Sequence, residues 1–331
     1  MISVVIVNFK ARDFLRSCLR SFFAEAQGLE TEVFVVDNAS HDGSLEMVEG
    51  EFPAVHLIEA RENLGFSRAN NLALRKCSGE KVLLLNPDTE IQPGALQEMA
   101  AFLDSHFEAG AVGPRLVDEN GKEQPSGRPF PTPWGWFLMQ TGIDARFARN
   151  EISKEGGDPQ QMSGGEAVDW ISGACLMLRK DALQNVGLLD ERFRLYSEEV
   201  DLCYRLKQAG LEVYYLPTAE VVHYGSISAA ASQGKDFSRG LLYSSYLTSK
   251  LAFFRKHYGF WQAFLARCLM FLAFGYSLAK LPFSILCRRR GSNWYRQELR
   301  LALIGLCTIL CRSQVMPKET KDSQPDKDAA Q

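Results

Sequence analysis

Lys81-Val-Leu-Leu-Leu-Asn-Pro-Asp88 is the stretch that decides the fold. Four consecutive apolar residues at 82–85 are typical of a strand that is buried on both faces, as in a parallel sheet. Pro87 has no amide hydrogen for the sheet ladder, so we predict that the strand ends there. Asp88 is then displayed at the carboxyl end of a central strand, which is the edge where open α/β sheets bind ligands. A carboxylate at this edge is able to bind a divalent cation, and the cation is able to bind phosphates.

Outward from this strand, apolar patterns of strand and helix period alternate along the chain. Strand patterns cover residues 2–7, 32–36, 55–58, 81–85, 111–117, 212–216 and 220–223, and an ordered pattern also covers 170–178. Patterns of helical period cover residues 14–23, 44–49, 66–76, 94–106, 181–186 and 199–209. This alternation predicts an α/β fold with a parallel sheet and helices on both faces. Residues 118–166 interrupt it with Gly, Pro and polar residues, and a long irregular segment of this kind is typical of a lid or binding loop.

Composition limits the class of protein. The chain has 331 residues, of which 46% are apolar and 23% are charged, as in a globular protein with a substantial core. Its eight cysteines are scattered without a CxxC pair, which argues against a zinc site and favours buried, reduced thiols in a cytosolic protein. No signal peptide is recognisable before the first strand, and we expect no nucleic-acid partner.

Acidic and imidazole side chains occur at the ends of the predicted elements. Asp37 follows the second strand, Asp88 the fourth, and His223 the last, while Glu198, Glu199 and Asp201 begin a helix. Because strand ends converge on one crevice in a doubly wound sheet, these groups form a plausible nucleotide and metal site.

Five blocks of sequence together carry a family resemblance. They are Ser3-Val-Val-Ile-Val-Asn8, Val35-Val-Asp-Asn-Ala-Ser40, Asn63-Leu-Gly-Phe-Ser-Arg-Ala-Asn70, Leu85-Asn-Pro-Asp88 and Tyr196-Ser-Glu-Glu-Val-Asp-Leu-Cys-Tyr-Arg205. In their order and spacing, over residues 2–225, the chain resembles the family 2 glycosyltransferases, which have the GT-A fold. The Asn-Leu-Gly-Phe and Asn-Pro-Asp blocks look most like the bacterial rhamnosyltransferase-like branch, which builds surface polysaccharides on lipid carriers.

The resemblance implies a nucleotide-sugar donor, dTDP- or UDP-linked. Asp37 would accept a hydrogen bond from the imide of uracil or thymine, although Asp-Asn-Ala-Ser is also good turn chemistry. Asn63, Arg68 and Asn70 match the block beside the nucleoside and diphosphate, and Asn8 and Asn86 match further donor-binding positions. For Arg68, an exposed helix face is the alternative.

The resemblance also implies a divalent cation, Mg²⁺ or Mn²⁺. Asp88 would bind it between the two donor phosphates, and His223 matches a position that helps to hold metal or diphosphate. Asn86 replaces the first aspartate of the family's Asp-x-Asp motif and removes one charged ligand. A strand-end cap for Asp88 and a hydrogen-bonded histidine for His223 are the alternatives.

Glu199 matches the second acid of the family's Glu-Asp pair, which is the catalytic base. It would deprotonate an acceptor hydroxyl, which then displaces the nucleotide in one step and inverts the anomeric configuration. Acids in the first turn of a helix also stabilise the macrodipole, which is the alternative for Glu198, Glu199 and Asp201. Trp170 resembles an acceptor-side aromatic, with Glu198 and Asp201 as weaker candidates there, and a core position is equally compatible with Trp170.

The C-terminal region is basic and apolar. Between Lys250 and Arg300, ten Lys or Arg residues face one acid, Glu298, and the longest uninterrupted apolar run, 268–279, is too short to cross a bilayer. Three arginines at 288–290 follow, and 299–311 is a second short apolar helix pattern. We predict helices that lie on an anionic membrane, at the inner face of the cell membrane, near a polyprenyl-diphosphate-linked saccharide acceptor. A helical subdomain or a dimer surface is the alternative.

The predicted organisation is a GT-A domain at 1–235, a membrane-associating helical region at 236–316 and a disordered tail at 317–331. The predicted function is inverting, metal-dependent transfer of a rhamnose-like sugar to a lipid-linked saccharide. Alternatives are a nucleotide-sugar-binding protein without turnover and an enzyme of this fold that uses galactose, galactofuranose or GlcNAc. A nucleotidyltransferase would need a Gly-rich loop after the first strand, where this chain has Asn8-Phe-Lys-Ala-Arg-Asp13.

Overall fold

Twelve strands are present in the computed structural model, which describes residues 1–142, 165–225, 235–286 and 292–310. The strands are β1 (Ile2–Asn8), β2 (Thr31–Asp37), β3 (Val55–Glu59), β4 (Lys81–Leu85), β5 (Thr89–Ile91), β6 (Ala109–Val117), β7 (Glu123–Gln124), β8 (Gly127–Arg128), β9 (Glu166–Val168), β10 (Trp170–Ile171), β11 (Cys175–Arg179) and β12 (Glu212–His223). Ten of them form one sheet with the order β3-β2-β1-β4-β11-β6-β12-β5, in which β7 pairs with β6 and β9 with β12. The strands β8 and β10 form a separate antiparallel pair.

The main sheet is mostly parallel. Strands β1, β2, β3 and β4 pair in parallel, and so do β6 and β12. Strand β11 lies antiparallel between β4 and β6, so the strands on either side of it share one direction. The carboxyl ends of these six strands therefore lie at one edge, together with the amino end of β11.

The structure defines two segments more closely than the sequence did. The ordered segment predicted at 170–178 contains two strands, β10 and β11, because residues 172–174 turn and Ala174 accepts a hydrogen bond from Asn86 N at 2.9 Å. The two strands predicted at 212–223 are one strand, β12, with a register shift between Leu216 and Glu220. Pro217 lies in this shift, where the missing amide hydrogen does not break a ladder bond.

The helices are α1 (Arg12–Glu25), α2 (Ser44–Glu51), α3 (Phe66–Leu74), α4 (Ala95–Ser105), α5 (Pro133–Thr141), α6 (Lys180–Val186), α7 (Glu198–Gln208), α8 (Lys235–Phe253), α9 (Gly259–Leu286) and α10 (Ser292–Leu310). Alternate residues of β1 point to opposite faces of the sheet. Val4 and Ile6 belong to one core cluster, with residues of α1 and α4, and Val5 and Val7 belong to another, with residues of α3 and α7. The prediction of helices on both faces is confirmed.

The segment predicted as an irregular loop is partly ordered. It contains β7, β8 and α5, which begins where Pro133 follows Thr132 and the Thr132 hydroxyl accepts a hydrogen bond from Gly135 N at 2.9 Å. A proline at the first helical position and a threonine cap are both favourable there. Residues 143–164 of the predicted loop lie outside the described residues.

The C-terminal helices form a third core cluster. Phe253, Phe254 and Phe274 are buried in it, and Trp136 of α5 and Val200 of α7 pack there from the sheet domain. Between α8 and α9 the chain makes one π-helical turn, Phe254–Tyr258, and then changes direction at Gly259, whose φ of +84° favours glycine.

The expectation that no apolar helix here is long enough to cross a bilayer is wrong on length. Helix α9 continues through Arg267 and Lys280, because long basic side chains are good helix formers. Within the described residues, the helical stretch Leu242–Pro282 contains an 18-residue window with a mean hydropathy of 1.5, and by length and composition it meets the requirements of a membrane-crossing helix. The arginines at 288–290 and the tail predicted at 317–331 lie outside the described residues.

Candidate active site

The polar residues that end the parallel strands lie at one edge of the sheet. Asn8 of β1 is in register with Asp37 of β2, and β4 ends three residues before Asp88. On the other side of β11, His223 ends β12 and is in register with Thr89, next to Asp88. The sheet therefore brings the predicted nucleotide, metal and imidazole positions to a common edge.

Asn8 and Asp37 form a buried pair. The Asn8 Nδ2 donates to Asp37 Oδ1 at 2.9 Å, and Ser40 N donates to Asp37 Oδ2 at 3.0 Å. Asp37 is only 2% exposed, and Asn8 Oδ1 is buried without a hydrogen-bond partner among the described residues. An ionised carboxylate has more than two acceptor positions, so Asp37 retains acceptor capacity beyond these two bonds.

A short loop before α3 lies beside this pair. Asn38 Oδ1 accepts from Leu64 N at 2.8 Å, and Asn38 Nδ2 donates to Asn63 Oδ1 at 3.3 Å. These bonds place Asn63 next to the end of β2. Arg68 and Asn70, from the same sequence block as Asn63, make their contacts away from the Asn8–Asp37 pair. The Arg68 guanidinium is exposed and lies 3.6 Å from Glu191, and the buried Asn70 amide donates to Phe66 O at 2.9 Å.

Asp88 and His223 face each other across the end of the sheet. Asp88 Oδ1 lies 3.7 Å from His223 Nε2, and both side chains are largely buried. The opposite ring nitrogen, Nδ1, lies 2.8 Å from Gln124 Oε1. Burial lowers the pKa of His223, and the charge of Asp88 offsets part of that effect. The ring is therefore favoured in its neutral form, the form that binds metals.

These residues fit a divalent cation. The buried His223 Nε2 has no hydrogen-bond partner among the described residues. Two ligand atoms that each lie about 2.1 Å from one Mg²⁺-sized cation are at most about 4.2 Å apart, and these two are 3.7 Å apart. In the described part of the chain there is no group of three His, Cys, Asp or Glu side chains that could hold a metal ion, so this pair would supply two ligands, and the remaining positions would belong to a bound diphosphate and water.

Glu198 and Glu199 begin helix α7, directly after two residues with positive φ. The two preceding residues, Tyr196 and Ser197, have φ of 70° and 67°, and Glu198 is only 6% exposed. Burial raises the pKa of Glu198 well above its ordinary value, and the charge of Glu199 raises it further. Burial also raises the pKa of Glu199, against the lowering effects of nearby backbone amides and of Arg128.

Each glutamate has one buried oxygen, Oε2, without a hydrogen-bond partner among the described residues. Glu199 lies against the turn that precedes β11, since a Cβ placed on Gly173 would be 3.5 Å from Glu199 Cβ. The next residue, Ala174, accepts the hydrogen bond from Asn86 N. Glu199 therefore lies beside the turn that is hydrogen-bonded to Asn86, at the strand end that precedes Asp88.

Trp170 lies on the β8–β10 pair beside this turn. Its indole donates to Pro129 O at 2.8 Å, and the Arg128 guanidinium lies 5.4 Å from the ring centroid. The indole is half-buried between two core clusters. This position is compatible with either the acceptor-side or the core interpretation of Trp170.

Asp201 faces away from Glu199, towards the C-terminal helices. It is fully buried, and its carboxylate contacts Arg205 at 2.9 Å, Lys256 at 2.6 Å and His257 at 2.7 Å. Lys256 also contacts Asp190 at 2.7 Å. The observed partners of Asp201 are thus three basic side chains of the protein, and its contact with an acceptor stays a prediction.

Backbone strain concentrates around the same edge. Within the described ranges, the non-glycine residues with positive φ are Lys10, Ala39, His41, Tyr196 and Ser197. They follow β1, follow β2 or precede α7. Each such conformation costs on the order of 1–3 kcal/mol, and strain of this kind is typical of functional sites.

Residues that sequence reasoning missed lie in the segment predicted as a loop. Gln124 contacts His223, and Arg128 lies near Glu199 and Trp170. Their short strands carry no periodic signal, so only the pairing with β6 and β10 reveals them. Asn38 was also missed, but it lies outside that segment. Its place beside Asp37 in the Asp-Asn-Ala-Ser block was a signal that could have identified it.

The chain is similar to known proteins over the part that forms this site. The family model described as Glycosyl transferase family 2 matches residues 3–187, which is more than half of the chain. The match includes β1 to β4 and β11, and therefore Asn8, Asp37 and Asp88, and it ends before α7.

Two curated relatives extend the likeness beyond α7. The chain is 30% identical to the N-acetylglucosaminyl-diphospho-decaprenol L-rhamnosyltransferase of Mycobacterium tuberculosis, over 80% of this chain and 87% of the relative. It is 24% identical to the rhamnosyltransferase WbbL of Escherichia coli (strain K12), over 68% of this chain and 83% of the relative.

A solved structure shares the fold. The mannosyltransferase PcManGT from Pyrobaculum calidifontis, in complex with GDP-Man and Mn²⁺, matches with a TM-score of 0.58 and 15% identity, over 95% of this chain and 88% of that one. At this identity the likeness concerns the fold alone, and it confirms the predicted GT-A architecture.

Proposed function

This chain belongs to glycosyltransferase family 2, and we propose that it transfers a sugar, with rhamnose favoured, from a dTDP- or UDP-sugar to a hydroxyl of a lipid-linked saccharide. That it is a glycosyltransferase follows from the family and its relatives. In this proposal the sheet domain, within residues 1–235, contains the catalytic site. The helical region, within residues 236–316, contacts the membrane.

The observation that carries the proposal is the state of Glu199. Its Oε2 has no partner among the described residues, its pKa is raised by burial, and it lies beside the Gly173-Ala174 turn, which is hydrogen-bonded to Asn86 at the strand end before Asp88. A general base works best when its pKa is close to the working pH, which a raised glutamate pKa approaches. Capping of α7 does not require a buried oxygen without a partner.

The proposed chemistry is a single displacement. Glu199 takes the proton of the acceptor hydroxyl at Oε2, and the hydroxyl oxygen attacks the anomeric carbon from the face opposite the nucleotide. The bond from that carbon to the diphosphate oxygen breaks, the nucleoside diphosphate leaves, and the anomeric configuration inverts. Protonated Glu199 then returns its proton to solvent.

Asp88 and His223 are the residues that would hold Mg²⁺ or Mn²⁺, and Asn86 lies at the same strand end. A bound divalent cation would stabilise the charge that develops on the departing diphosphate. The neutral His223 ring and the Asp88 carboxylate together bring one negative charge to it, because Asn86 replaces a second acid.

The donor base would lie against Asp37, with Asn8 and Asn63 beside it. Asp37 is an acceptor, which matches the imide N–H that uracil and thymine share. Rhamnose is favoured because both curated relatives are named rhamnosyltransferases. The acceptor proposal rests on the mycobacterial relative, whose name contains a diphospho-decaprenol-linked sugar.

Membrane contact would use one face of α9. Its exposed side chains recur every three or four residues and form what we call the apolar stripe: Trp261, Phe264, Leu265, Cys268, Phe271, Leu272 and Tyr276. The stripe extends about 22 Å along the helix. Arg255 contacts Phe260 before it, and Lys280 contacts Tyr276 at its end. An apolar face flanked by basic residues fits the interface of an anionic bilayer.

A donor and acceptor panel tests the proposal. Purified protein is given UDP-, dTDP- and GDP-sugars with a polyprenyl-diphosphate-linked GlcNAc, with Mn²⁺, with Mg²⁺ or with EDTA, and nucleotide release and lipid-linked product are measured. We expect product from dTDP-rhamnose, loss of activity in EDTA, and an inverted anomeric centre by NMR. Donor hydrolysis without a lipid-linked product would contradict the acceptor proposal, and retained configuration would contradict the single displacement.

A further inference from the structure

Gln124 contacts the histidine of the proposed metal pair at two points. Its amide nitrogen, Nε2, donates to the backbone oxygen of His223 at 2.7 Å, and its amide oxygen, Oε1, lies 2.8 Å from His223 Nδ1. The residue is carried by β7, which pairs with the end of β6, where Leu116 is the register partner of Gln124. Strand β12 pairs with the other side of β6, so the side chain of Gln124 reaches His223 across β6.

The two contacts fix which atom of Gln124 faces the ring. A backbone carbonyl oxygen can only accept, so the amide NH₂ of Gln124 must face it. The amide oxygen therefore faces Nδ1, and because that oxygen can only accept, Nδ1 must carry a hydrogen. In a neutral imidazole the other nitrogen, Nε2, then has no hydrogen and presents its lone pair.

That lone pair faces Asp88. Nε2 lies 3.7 Å from Asp88 Oδ1, which is longer than a hydrogen bond, and it has no partner among the described residues. A lone pair and a carboxylate oxygen repel each other when they are buried side by side. A cation that both atoms bind removes this repulsion, whereas the opposite tautomer would place an N–H where the metal must lie.

We propose that Gln124 is a positioning residue, which holds His223 in the Nδ1–H tautomer so that Nε2 can bind the divalent cation together with Asp88. The proposal deepens the proposed function and rests on its metal site. Partners of this kind orient the histidine ligands of metal sites, and their loss typically weakens metal binding by about 10- to 100-fold.

The first measurement is Mn²⁺ binding without turnover. Mn²⁺ is titrated into the full chain in saturating dTDP, and free Mn²⁺ is followed by EPR. We expect Gln124→Leu to raise the Mn²⁺ dissociation constant by about 10- to 100-fold. Gln97→Leu is the matched control, because Gln97 also donates to a backbone carbonyl, Glu25 O at 2.6 Å, but from helix α4. It should bind Mn²⁺ like the wild type.

A second variant separates positioning from a merely structural role. Gln124→Glu keeps an acceptor for Nδ1–H but loses the donor to the His223 carbonyl. If Gln124 only supports the fold, this variant should bind Mn²⁺ as poorly as Gln124→Leu. If it sets the tautomer, Gln124→Glu should recover most of the affinity lost in Gln124→Leu. Equal binding by the wild type and Gln124→Leu, or equal loss in both variants, would overturn the proposal.

The second measurement reads the tautomer directly. In ¹⁵N-histidine-labelled protein without metal, the ring signals assigned by their loss in His223→Asn should show a protonated Nδ1 in the wild type and a mixture of tautomers in Gln124→Leu. A protonated Nε2 in the wild type would overturn the inference. Absence of Mn²⁺ binding by the wild type, with the Nδ1–H tautomer present, would instead contradict the metal part of the proposed function.

Discussion

The sheet edge and the C-terminal helices differ in which side chains they bury: the sheet edge buries polar side chains, whereas the C-terminal helices expose large apolar ones. At the sheet edge, Asn8, Asp37, Asp88 and Glu198 are all less than 9% exposed. On α9, by contrast, Trp261 is 76% exposed. Buried carboxylates and exposed large apolar side chains both lower the stability of an isolated domain, so each needs a reason outside folding. The proposed nucleotide-sugar and cation would account for the buried carboxylates, and the proposed membrane contact would account for the exposed apolar side chains.

A buried ion-pair cluster joins the two regions. It consists of Asp201 and Arg205 of α7, Lys256 and His257 of the π-helical turn, and Asp190. Asp201 is two residues after Glu199, so the helix that carries the proposed base is anchored to the segment that leads into the apolar stripe. A membrane-bound α9 would therefore fix the orientation of the active site relative to the bilayer.

The largest expected effect concerns the sheet edge. In Glu199→Gln the side chain keeps its shape and loses its basicity, so kcat should fall by about 10²- to 10⁴-fold while dTDP binding is retained. Turnover of the preferred nucleotide sugar and calorimetric nucleotide binding provide the two readings. Glu49→Gln, an exposed residue of α2, is the control. Unchanged turnover in Glu199→Gln would remove the assignment of the base.

Removing Asp201 from the buried ion-pair cluster should lower the free energy of unfolding by an amount of similar size. Asp201→Ala removes the buried carboxylate that Arg205, Lys256 and His257 share, and removal of one member of such a cluster typically costs about 3–5 kcal/mol. Urea denaturation measures the loss. Asp13→Ala, which removes an exposed carboxylate beside Arg12 and Arg16, should leave the urea midpoint unchanged. If both variants unfold at the same urea concentration, the two regions are not coupled through Asp201.

A smaller effect is expected at the apolar stripe. Burial of a large apolar side chain contributes about 1.5–3 kcal/mol, so Trp261→Gln and Leu272→Gln should each lower binding to vesicles that contain anionic lipid by roughly tenfold or more. Co-sedimentation with the vesicles measures this. Phe107→Gln is the control, because Phe107 is equally exposed, at 75%, but lies on the sheet domain. A change in oligomeric state without a change in vesicle binding would indicate a dimer surface instead.

The smallest effect is a difference in pH dependence. The raised pKa of Glu198 stabilises the fold below its ordinary value of 4.5, and this contribution is lost as pH rises towards the raised pKa. Asp201 has the opposite sign. Burial alone would raise its pKa, but His257, Arg205 and Lys256 lower it to about 2, so its contribution is present above the ordinary carboxyl range and is lost as pH falls towards 2.

Glu198→Gln isolates the first of these contributions. Above pH 4.5 the wild type should lose stability with rising pH, by at most about 1.4 kcal/mol per pH unit for one proton, and Glu198→Gln should lose less. Urea midpoints between pH 4.5 and 8 provide the measurement, with Glu49→Gln as the control. Parallel curves for the wild type and Glu198→Gln would show that Glu198 titrates normally.

Much of the fold was predictable because it depends on local periodicity. The apolar run at 82–85, ended by Pro87, identified β4 and the strand end at Asp88, and alternation identified the sheet and its flanking helices. The antiparallel insertion of β11 between β4 and β6 was not predictable, because strand order depends on which faces pack together rather than on the pattern within a strand.

The sequence by itself determined the residue types at the candidate site, since Asp37, Asp88, Glu199 and His223 each stand at the end or beginning of a periodic element. Tertiary structure alone decided their partners. Pairing of β7 with β6 brings Gln124 to His223, and docking of the π-helical turn gives Asp201 its cations. The physical reason is the distance along the chain over which each signal acts. Hydrophobic periodicity depends on the few neighbouring residues that form one helix or strand. The hydrogen bonds and ion pairs of the site join side chains that are tens of residues apart in the sequence.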